Sequence, residues 1–262
     1  MARRSSIRWQ RLALPAVSIA LFFSLLEIAG RVGLYETSLV PLPSSVARAM
    51  EWLVRGPFFA DLSATARRIA TGYVVGASLG IILGLATGLL SRVRNLLEPV
   101  VQLGRPIPAV ALVPLALAWF GIGELAKASI VAWACFFPVW INTHSGVGRV
   151  PAELLWTSAV LGANRGRTVL QVVIPWASSF IFVGLRTSLG LAFAAVVVAE
   201  MSGASSGLGY RILASHYAFR VDEMLASIIA IGALGALTDL LFRATARHVV
   251  PWLGHDEGVH VR

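Results

Sequence analysis

The chain has 262 residues, of which 57% are hydrophobic and 13% are charged. Soluble domains carry charges at about a quarter of their positions, so this composition excludes an ordinary soluble protein and indicates an integral membrane protein. The net charge of +9 comes almost entirely from arginines at the ends of apolar runs, which argues against nucleic-acid binding. Because Cys135 is the only cysteine, an intrachain disulfide is impossible, and the sequence contains no pattern typical of a zinc site. We therefore predict neither a metal site nor a nucleic-acid partner.

Apolar runs follow one another along the chain, and each approaches the roughly 20 residues that a transmembrane helix needs. They cover residues 12–30, 69–90, 103–120, 125–141, 180–199 and 224–244. Prolines interrupt the third run, and Pro138 lies inside the fourth. The first run resembles a signal peptide, but it has no clean small-residue cleavage site and contains Glu27, so we predict an uncleaved anchor. The predicted fold class is all-α, a polytopic membrane protein with six transmembrane helices.

Arginines are distributed unevenly between the segments that connect these runs. If the N-terminus is cytoplasmic, the cytoplasmic segments hold 12 arginines and the external loops hold 4, with 6 basic residues at span boundaries left out of the count. The cytoplasmic set is Arg3, Arg4, Arg8, Arg11, Arg92, Arg94, Arg149, Arg165, Arg167, Arg243, Arg247 and Arg262, and the external set is Arg48, Arg55, Arg211 and Arg220. Because cytoplasmic loops are enriched in Lys and Arg, we predict that both termini and the loop of residues 145–178 are cytoplasmic.

The second run carries a glycine at every fourth position, so these glycines share one face of a helix. They are Gly72, Gly76, Gly80, Gly84 and Gly88. Lipid supplies no hydrophobic drive for helices to associate, so close contact through small residues must hold them together. We interpret this glycine stripe as a packing surface within the chain, in preference to a dimer face.

Charged residues inside apolar runs are costly and need partners. Arg186 lies in the fifth run and Asp239 in the sixth, and we predict that they form a structural ion pair rather than act in transport directly. Arg243, four residues after Asp239, is a local competitor for the same carboxylate. Glu124 and Lys127, at the start of the fourth run, are predicted to form an interfacial pair.

The long predicted cytoplasmic loop, residues 145–178, has the pattern of a helix, a glycine turn and a second short helix. Pro151 suits the N-terminus of the first helix, and Gly162 suits its end. Asn164 suits the cap of a second helix that stops before Pro175. The first helix is amphipathic, which fits either a position on the membrane surface or docking into a groove of a partner protein.

The segment "ELLWTSAVLGANRGRTVLQVVIP", residues 153–175, resembles the cytoplasmic EAA loop of permease subunits from bacterial ABC importers. Gly162 matches the glycine of that motif and Pro175 its final proline. The Glu-Ala-Ala of the motif is not kept, and in its place stand Trp156, Thr157 and Ser158. Three further segments are similar to the sulfonate/nitrate/taurine subgroup of these permeases, residues 104–127, 136–147 and 184–212. The resemblance covers nearly the whole chain after the first span.

This resemblance implies the type I ABC importer permease fold, a two-fold dimer of the chain and a translocation pathway at the subunit interface. It also implies two separate ATP-binding subunits, which bind ATP and Mg, and an external binding protein that delivers a small anion such as a sulfonate, taurine or nitrate. The chain itself is then a non-catalytic subunit in the bacterial inner membrane and binds no cofactor. The resemblance assigns coupling to the ATPase to Glu153, Trp156, Thr157, Ser158, Ala159, Gly162 and Pro175.

We predict one transmembrane permease domain over residues 1–262, with an anchor helix and external loop at residues 1–66 and a core of five transmembrane helices at residues 67–250. Candidate pathway-lining residues lie in the middle of the third to fifth runs: Trp119, Phe120, Trp133, Phe136, Phe137, Thr187, Ser188 and Phe193. They offer no strong anion site, which leaves selection of the solute to the binding protein.

Two other classes of protein compete with this interpretation. The sequence lacks G-x-x-x-x-G-K-[ST], so the chain has no usual phosphate-binding loop and needs another polypeptide as its energy source. A stand-alone secondary transporter would need no such partner, but it is expected to show inverted repeats or a midplane carboxylate pair, and neither is seen. The stretch "GASSG", residues 203–207, fits a hydrolase motif, but it follows a transmembrane helix in an external loop, which argues against a serine enzyme.

Overall fold

The computed structural model describes residues 3–249, with side chains from residue 17 to residue 246. Within that part of the chain every regular element is helical, as predicted. The elements are α1 (Arg3–Arg31), α2 (Pro43–Arg55), α3 (Phe58–Leu89), α4 (Ser91–Gly104), a 3-10 turn (Ala109–Leu112), α5 (Val113–Phe120), α6 (Glu124–Gly148), α7 (Ala152–Val160), α8 (Arg165–Thr168), a π turn (Val169–Val173), α9 (Ile174–Met201), α10 (Leu208–Tyr217) and α11 (Val221–Val249).

Four helical segments are long and apolar enough to cross a membrane: Phe58–Leu89, Glu124–Gly148, Arg165–Met201 and Val221–Ala246. They correspond to the second, fourth, fifth and sixth predicted spans. The first predicted span, residues 12–30, lies in α1, but its side chains before residue 17 are outside the described part of the structure.

The structure differs from the third predicted span, residues 103–120, in where the apolar segment begins. The apolar segment begins at Ser91 and consists of two arms, Ser91–Gly104 and Ala109–Phe120, that meet at 86°. Pro106 and Pro108 lie in the break, and each lacks the N–H that an α-helical hydrogen bond requires. Taken together, the two arms make a fifth segment of span length.

The glycine stripe of α3 faces α6 of the same chain. A Cβ atom added at Gly72 would lie 2.5 Å from Cβ of Val131, and one added at Gly84 would lie 2.6 Å from Cβ of Thr143. The other three glycines of the stripe meet α6 in the same way. Since real Cβ atoms essentially never approach so closely, the two helix backbones are in contact only because these positions carry no side chain.

Helices α6 and α9 pack along their length and carry most of the apolar core. Buried side chains from both helices meet there, together with Ile69 of α3 and two residues of α5: Val113, Ala116, Ala126, Ile130, Val131, Cys135, Ala192, Ala195, Val196 and Ala199. Gly184 of α9 repeats the small-residue packing, because a Cβ atom added there would lie 3.0 Å from the carbonyl oxygen of Pro138 and 3.1 Å from Cα of Val139 in α6. This core holds α9 in position. The long predicted cytoplasmic loop leads directly into the start of α9.

The chain divides into two compact units. One ends at Phe59 and includes Arg211–Ala230, and the other starts at Ala60, runs to Tyr210 and resumes at Ile231. In the first unit, the carboxylate of Glu27 accepts hydrogen bonds from N–H and Oγ of Ser44, at 3.0 and 2.8 Å. This contact ties α1 to the start of α2 and gives the acidic residue of the first span a partner.

Candidate functional site

Helix α7 presents its large apolar side chains to the outside of the chain. Trp156 is 68% exposed, Val160 87% and Leu161 79%, and Leu154 and Leu155 are also exposed. We call these five residues the α7 surface. The helix follows Pro151, and Glu153 lies in its first turn, where a negative charge is favourable. The helix thus begins and ends where the sequence predicts. No part of the described chain covers its large apolar side chains.

A Schellman motif ends α7 at Gly162. The N–H of Gly162 donates to the carbonyl of Ala159 at 3.0 Å, and the N–H of Ala163 donates to the carbonyl of Ser158 at 2.9 Å. Gly162 has φ +74°, a left-handed conformation that glycine adopts at little cost. The turn that the sequence predicts at this position thus depends on the backbone freedom of the glycine.

Asn164 starts the second helix of the loop as its cap. Its side-chain Oδ1 accepts a hydrogen bond from the N–H of Arg167 at 2.9 Å. The prediction that this helix stops before Pro175 was wrong, because α8, the π turn and α9 follow one another without a break over Arg165–Met201. The π turn ends two residues before Pro175, and this wider turn contains Gln171, whose carbonyl a proline at position 175 would clash with in a regular α-helix.

The two helices of the loop are joined by a polar contact. Ser158 is the buried residue of α7, and its Oγ lies 3.2 Å from Oγ1 of Thr168 in α8. The same Oγ also donates to the carbonyl of Leu155. Among the other predicted coupling residues, Ala159 is exposed, and exposed Thr157 donates from Oγ1 to the carbonyl of Glu153 at 2.7 Å. The loop is therefore braced from inside by polar groups and apolar on its outer face.

The ion pair predicted between the fifth and sixth spans is present in the structure. Nε of Arg186 donates to Oδ1 of Asp239 at 2.9 Å, and Nε of Arg243 donates to Oδ2 at 2.8 Å. Arg243 is thus a second partner of the carboxylate rather than a competitor. Arg186 and Asp239 line a groove of about 680 Å³ between α9 and α11.

The candidate pathway residues fall into separate groups. Trp133 and Phe137 of α6 pack edge to face with ring centroids 5.0 Å apart, and Phe136 lies against Phe137 at the same distance. The exposed pair on α5 consists of Trp119 and Phe120. On α9, Thr187 and Phe193 line the groove between α9 and α11.

Ser188 does not share this position. It is fully buried, and its Oγ donates to the carbonyl of Leu185. The helical turn places Ser188 on the core side of α9, whereas Thr187 is on the side of the groove, so Ser188 is not among the groove-lining residues.

Sequence reasoning missed a buried polar cluster around Arg68. This side chain is 3% exposed and donates twice to the carboxylate of Glu124, at 2.7 Å each, and once to Glu200 at 2.8 Å. The predicted pair of Glu124 with Lys127 was wrong, because Nζ of Lys127 donates to the carbonyl oxygens of Ile122 and Gly123. The charge of Glu124 is instead satisfied by a guanidinium from α3.

The same cluster holds the loop after α9, which contains the "GASSG" stretch. Glu200 is fully buried and accepts from Oγ1 of Thr65 and from the N–H of Gly209, both at 2.8 Å. Asp61 accepts from the N–H of Gly207 at 2.8 Å. These contacts make the glycine-rich loop a closely fitted structural element. Among the described residues no group of three or more His, Cys, Asp or Glu is placed to bind a metal.

The arrangement of these helices defines the class of protein. A chain from the crystal structure of an amino acid ABC transporter has the same fold, with a TM-score of 0.60 at 18% identity over 76% of this chain and 95% of that chain. A chain of the MetNI methionine ABC transporter in an inward-facing conformation gives a TM-score of 0.58 at 18% identity, over 78% and 97% of the two chains. The fold is that of type I ABC importer permeases, as the sequence predicts.

Residues 76–255 match the family described as the inner membrane component of binding-protein-dependent transport systems, and the chain belongs to this family. It is similar to SsuC of Bacillus subtilis (strain 168), named as an aliphatic sulfonates transport permease, with 34% identity over 97% of this chain and 92% of that protein. It is also similar to the taurine transport permease TauC of Escherichia coli (strain K12), at 30% identity over 97% and 95%. The nitrate import permease NrtB of a Synechocystis strain is 30% identical over 90% and 89%. The chain is therefore a permease subunit of an ABC importer and a multi-pass membrane protein.

Proposed function

We propose that this permease forms the translocation pathway for a small anion and is driven by separate ATPase subunits that dock on the α7 surface. The observation that carries the proposal is the exposure of five large apolar side chains on a short helix that its own loop holds firmly. Apolar patches of this kind on an otherwise ordered element mark sites of protein–protein contact.

The α7 surface fits insertion into a groove of a partner better than it fits the membrane surface. Its residues extend from Leu154 to Leu161 and so cover the helix along most of its length. A helix lying on lipid needs no rigid support, whereas α7 is fixed at its end by the Gly162 turn and from inside by Ser158 and Thr168. A docking element needs this rigidity, because it must pass on the movement of its partner.

The path for that movement is the helix that follows. Arg165–Met201 is one uninterrupted helical segment. A displacement of α7 is therefore passed through the Gly162 turn to the N-terminal end of α9. Helix α9 lies in the apolar core against α6 and lines the groove toward α11. Closure of the ATPase subunits would in this way change the position of a pathway-lining helix.

The energy source belongs to the partner. No G-x-x-x-x-G-K-[ST] motif is present in the sequence, so ATP and Mg are bound by the ATPase subunits and this chain is non-catalytic. The full importer would contain two copies of this chain, two ATPase subunits and an external solute-binding protein. Both termini and the loop that carries α7 face the cytoplasm, in accord with the arginine distribution, and the membrane is the bacterial inner membrane.

The relatives narrow the class of solute. Three of them are named for aliphatic sulfonates, taurine and nitrate, which are small and carry an oxyanion group. We propose a solute of this class, delivered by the external binding protein. A stand-alone secondary transporter, the alternative considered from sequence, gives no reason for a rigid loop with an exposed apolar face.

The proposal is tested by purifying the tagged chain from its native membrane in mild detergent and identifying its stoichiometric partners. A double substitution, Trp156→Asp with Val160→Asp, places two charges on the α7 surface. As a matched control, Gly166→Asp adds the same kind of charge at an exposed position in the first turn of α8, outside the α7 surface and at a helix end where a negative charge is tolerated.

We expect an ATPase with a phosphate-binding loop to purify with the unchanged chain and with the Gly166 variant, and to be lost from the double variant. A chain that purifies alone and still transports its solute would contradict the proposal and support the secondary transporter. Retention of the ATPase by the double variant would show that the subunits meet elsewhere.

A further inference from the structure

The groove between α9 and α11 has a charged end and an apolar remainder. Small residues line it on both sides, among them Gly190, Ala194, Gly232 and Ala236. Its polar side chains are Arg186, Thr187 and Asp239, which lie together because Thr187 follows Arg186 and Asp239 is bonded to Arg186. The groove is thus lined mainly by apolar residues, many of them small, and its polar side chains are grouped at one site.

One carboxylate and two guanidinium groups meet at that site. The carboxylate of Asp239 accepts from the guanidinium groups of Arg186 and Arg243, and of these two arginines it is Arg186 that lines the groove. All three lie inside segments of transmembrane length. Charged groups inside such segments almost always face the interior of a bundle or a water-filled cavity, since contact with lipid is costly.

Exposure within the chain points to the cavity. The side chain of Arg186 is 51% exposed and that of Asp239 is 29% exposed, although Ser188, two residues further along α9, is fully buried. The two side chains are therefore not enclosed between α9 and α11. This pair instead borders the open groove, where a passing solute can reach it.

The chemistry of arginine matches an oxyanion. Its guanidinium is planar, always charged and carries five N–H donors in a fork that pairs with two oxygens of one group. Sulfonate and nitrate groups present such oxygens. The positive charge of the Arg186 guanidinium attracts a monoanion, while the neighbouring carboxylate of Asp239 keeps the attraction weak enough for the anion to leave again.

We infer that the groove between α9 and α11 is part of the translocation pathway and that Arg186 contacts the oxyanion group of the solute as it passes. This inference rests on the proposed function and deepens it, because it places a weak anion site in a pathway that sequence analysis describes as passive. Asp239 then tunes the strength of the site and fixes the direction of the guanidinium.

Two single substitutions separate this role from a structural one. Arg186→Gln and Arg243→Gln each remove one guanidinium partner of Asp239 and one positive charge. Arg186 lines the described groove, whereas Arg243 is not among its lining residues. A purely structural network predicts similar losses from the two variants, while an anion site predicts a loss from the Arg186 variant alone.

The measurement uses the complex of permease, ATPase subunits and binding protein in proteoliposomes. Initial ATP-dependent uptake of labelled ethanesulfonate, taurine and nitrate is recorded with the binding protein saturated, so that only steps inside the membrane limit the rate. Basal ATP hydrolysis is recorded on the same vesicles and reports whether the complex is assembled.

We expect Arg186→Gln to lower uptake by about tenfold or more, the effect of losing one charge-assisted contact. Arg243→Gln should stay within about twofold of the unchanged complex, and both should keep basal ATP hydrolysis. Equal losses in the two variants, or an unchanged complex that hydrolyses ATP but takes up none of the three anions, would overturn the inference and leave the proposed coupling intact. Failure of the unchanged chain to assemble with an ATPase would instead refute the proposed function, and the inference with it.

Discussion

Oγ of Ser158 in α7 lies 3.2 Å from Oγ1 of Thr168 in α8, and this contact joins the helix with the exposed apolar face to the helix that continues into α9. Ser158 is the buried residue of its helix. The contact therefore places a polar link at the point where a force on α7 would have to pass to the membrane-spanning part.

The link should matter for coupling more than for stability. We expect Ser158→Ala and Thr168→Val each to reduce the number of solutes taken up per ATP hydrolysed, with a loss of stability of about 1 kcal/mol typical of one hydrogen bond. In a double-mutant cycle the second substitution should add little to the first, since both remove the same contact. Strictly additive losses would mean that the two hydroxyls act independently.

Gly162 gives a second test of the loop. Gly162→Leu should strain the turn by about 1–2 kcal/mol, because a residue with a Cβ is disfavoured at φ +74°. The structure has no described atom within 4 Å of an added Cβ there, so the effect comes from the backbone and not from a clash. We expect the complex to assemble and to hydrolyse ATP while uptake falls.

Gly148→Leu is the matched control for that variant. Gly148 is also exposed, and an added Cβ there also meets no described atom, but its φ lies outside the left-handed region. Uptake by this variant should stay close to that of the unchanged complex. If both leucine variants lose uptake equally, the left-handed turn is not the cause.

The polar cluster predicts a large difference between two adjacent arginines. Arg68→Ala leaves the buried carboxylate of Glu200 without its guanidinium and should destabilise the protein by about 3–5 kcal/mol. Arg67→Ala removes an exposed side chain that lies 3.9 Å from Glu124, and should cost no more than about 1 kcal/mol. Thermal unfolding in detergent measures both, and equal midpoints for the two variants would contradict the role given to the cluster.

The glycine stripe allows a comparison of neighbours on α3. Gly76→Leu would drive a side chain into the backbone of α6 at Ala132, so we expect loss of folded protein from the membrane. Val75→Leu, at a position that is 52% exposed, should be tolerated. Fluorescence-detected size exclusion of the two variants decides the matter, and a monodisperse Gly76 variant would show that the helices can separate without damage.

Much of this architecture could be predicted from the sequence because the membrane restricts the choices. The glycines of α3 repeat every four residues, and a helix in lipid has few other uses for such a stripe. Arg186 and Asp239 are found as partners for a similar reason, since a charge inside an apolar run requires one. The helix, turn and cap of the loop follow from local signals at Pro151, Gly162 and Asn164, each of which acts over a few residues.

The remainder depends on contacts that local patterns do not encode. Arg68 and Glu124 lie near the ends of apolar runs, where charges look interfacial, and nothing in the spacing shows that they meet each other. Periodicity showed which residues of α7 share a face, but not that Ser158, rather than a leucine, is the one covered. The continuation of α8 through Pro175 required a π turn, a local widening that the proline alone does not predict.

The most direct test of the central claim is cross-linking from the α7 surface to the ATPase. The native thiol, Cys135, is buried, so an engineered cysteine at Trp156 or Val160 is the accessible one. We expect either cysteine to form a specific cross-link with the ATPase subunit in native membranes, and a cysteine at Phe219, which is 90% exposed in a loop predicted to be external, to form none. Absence of a cross-link from both α7 positions, in membranes where ATP-dependent uptake is intact, would contradict the account.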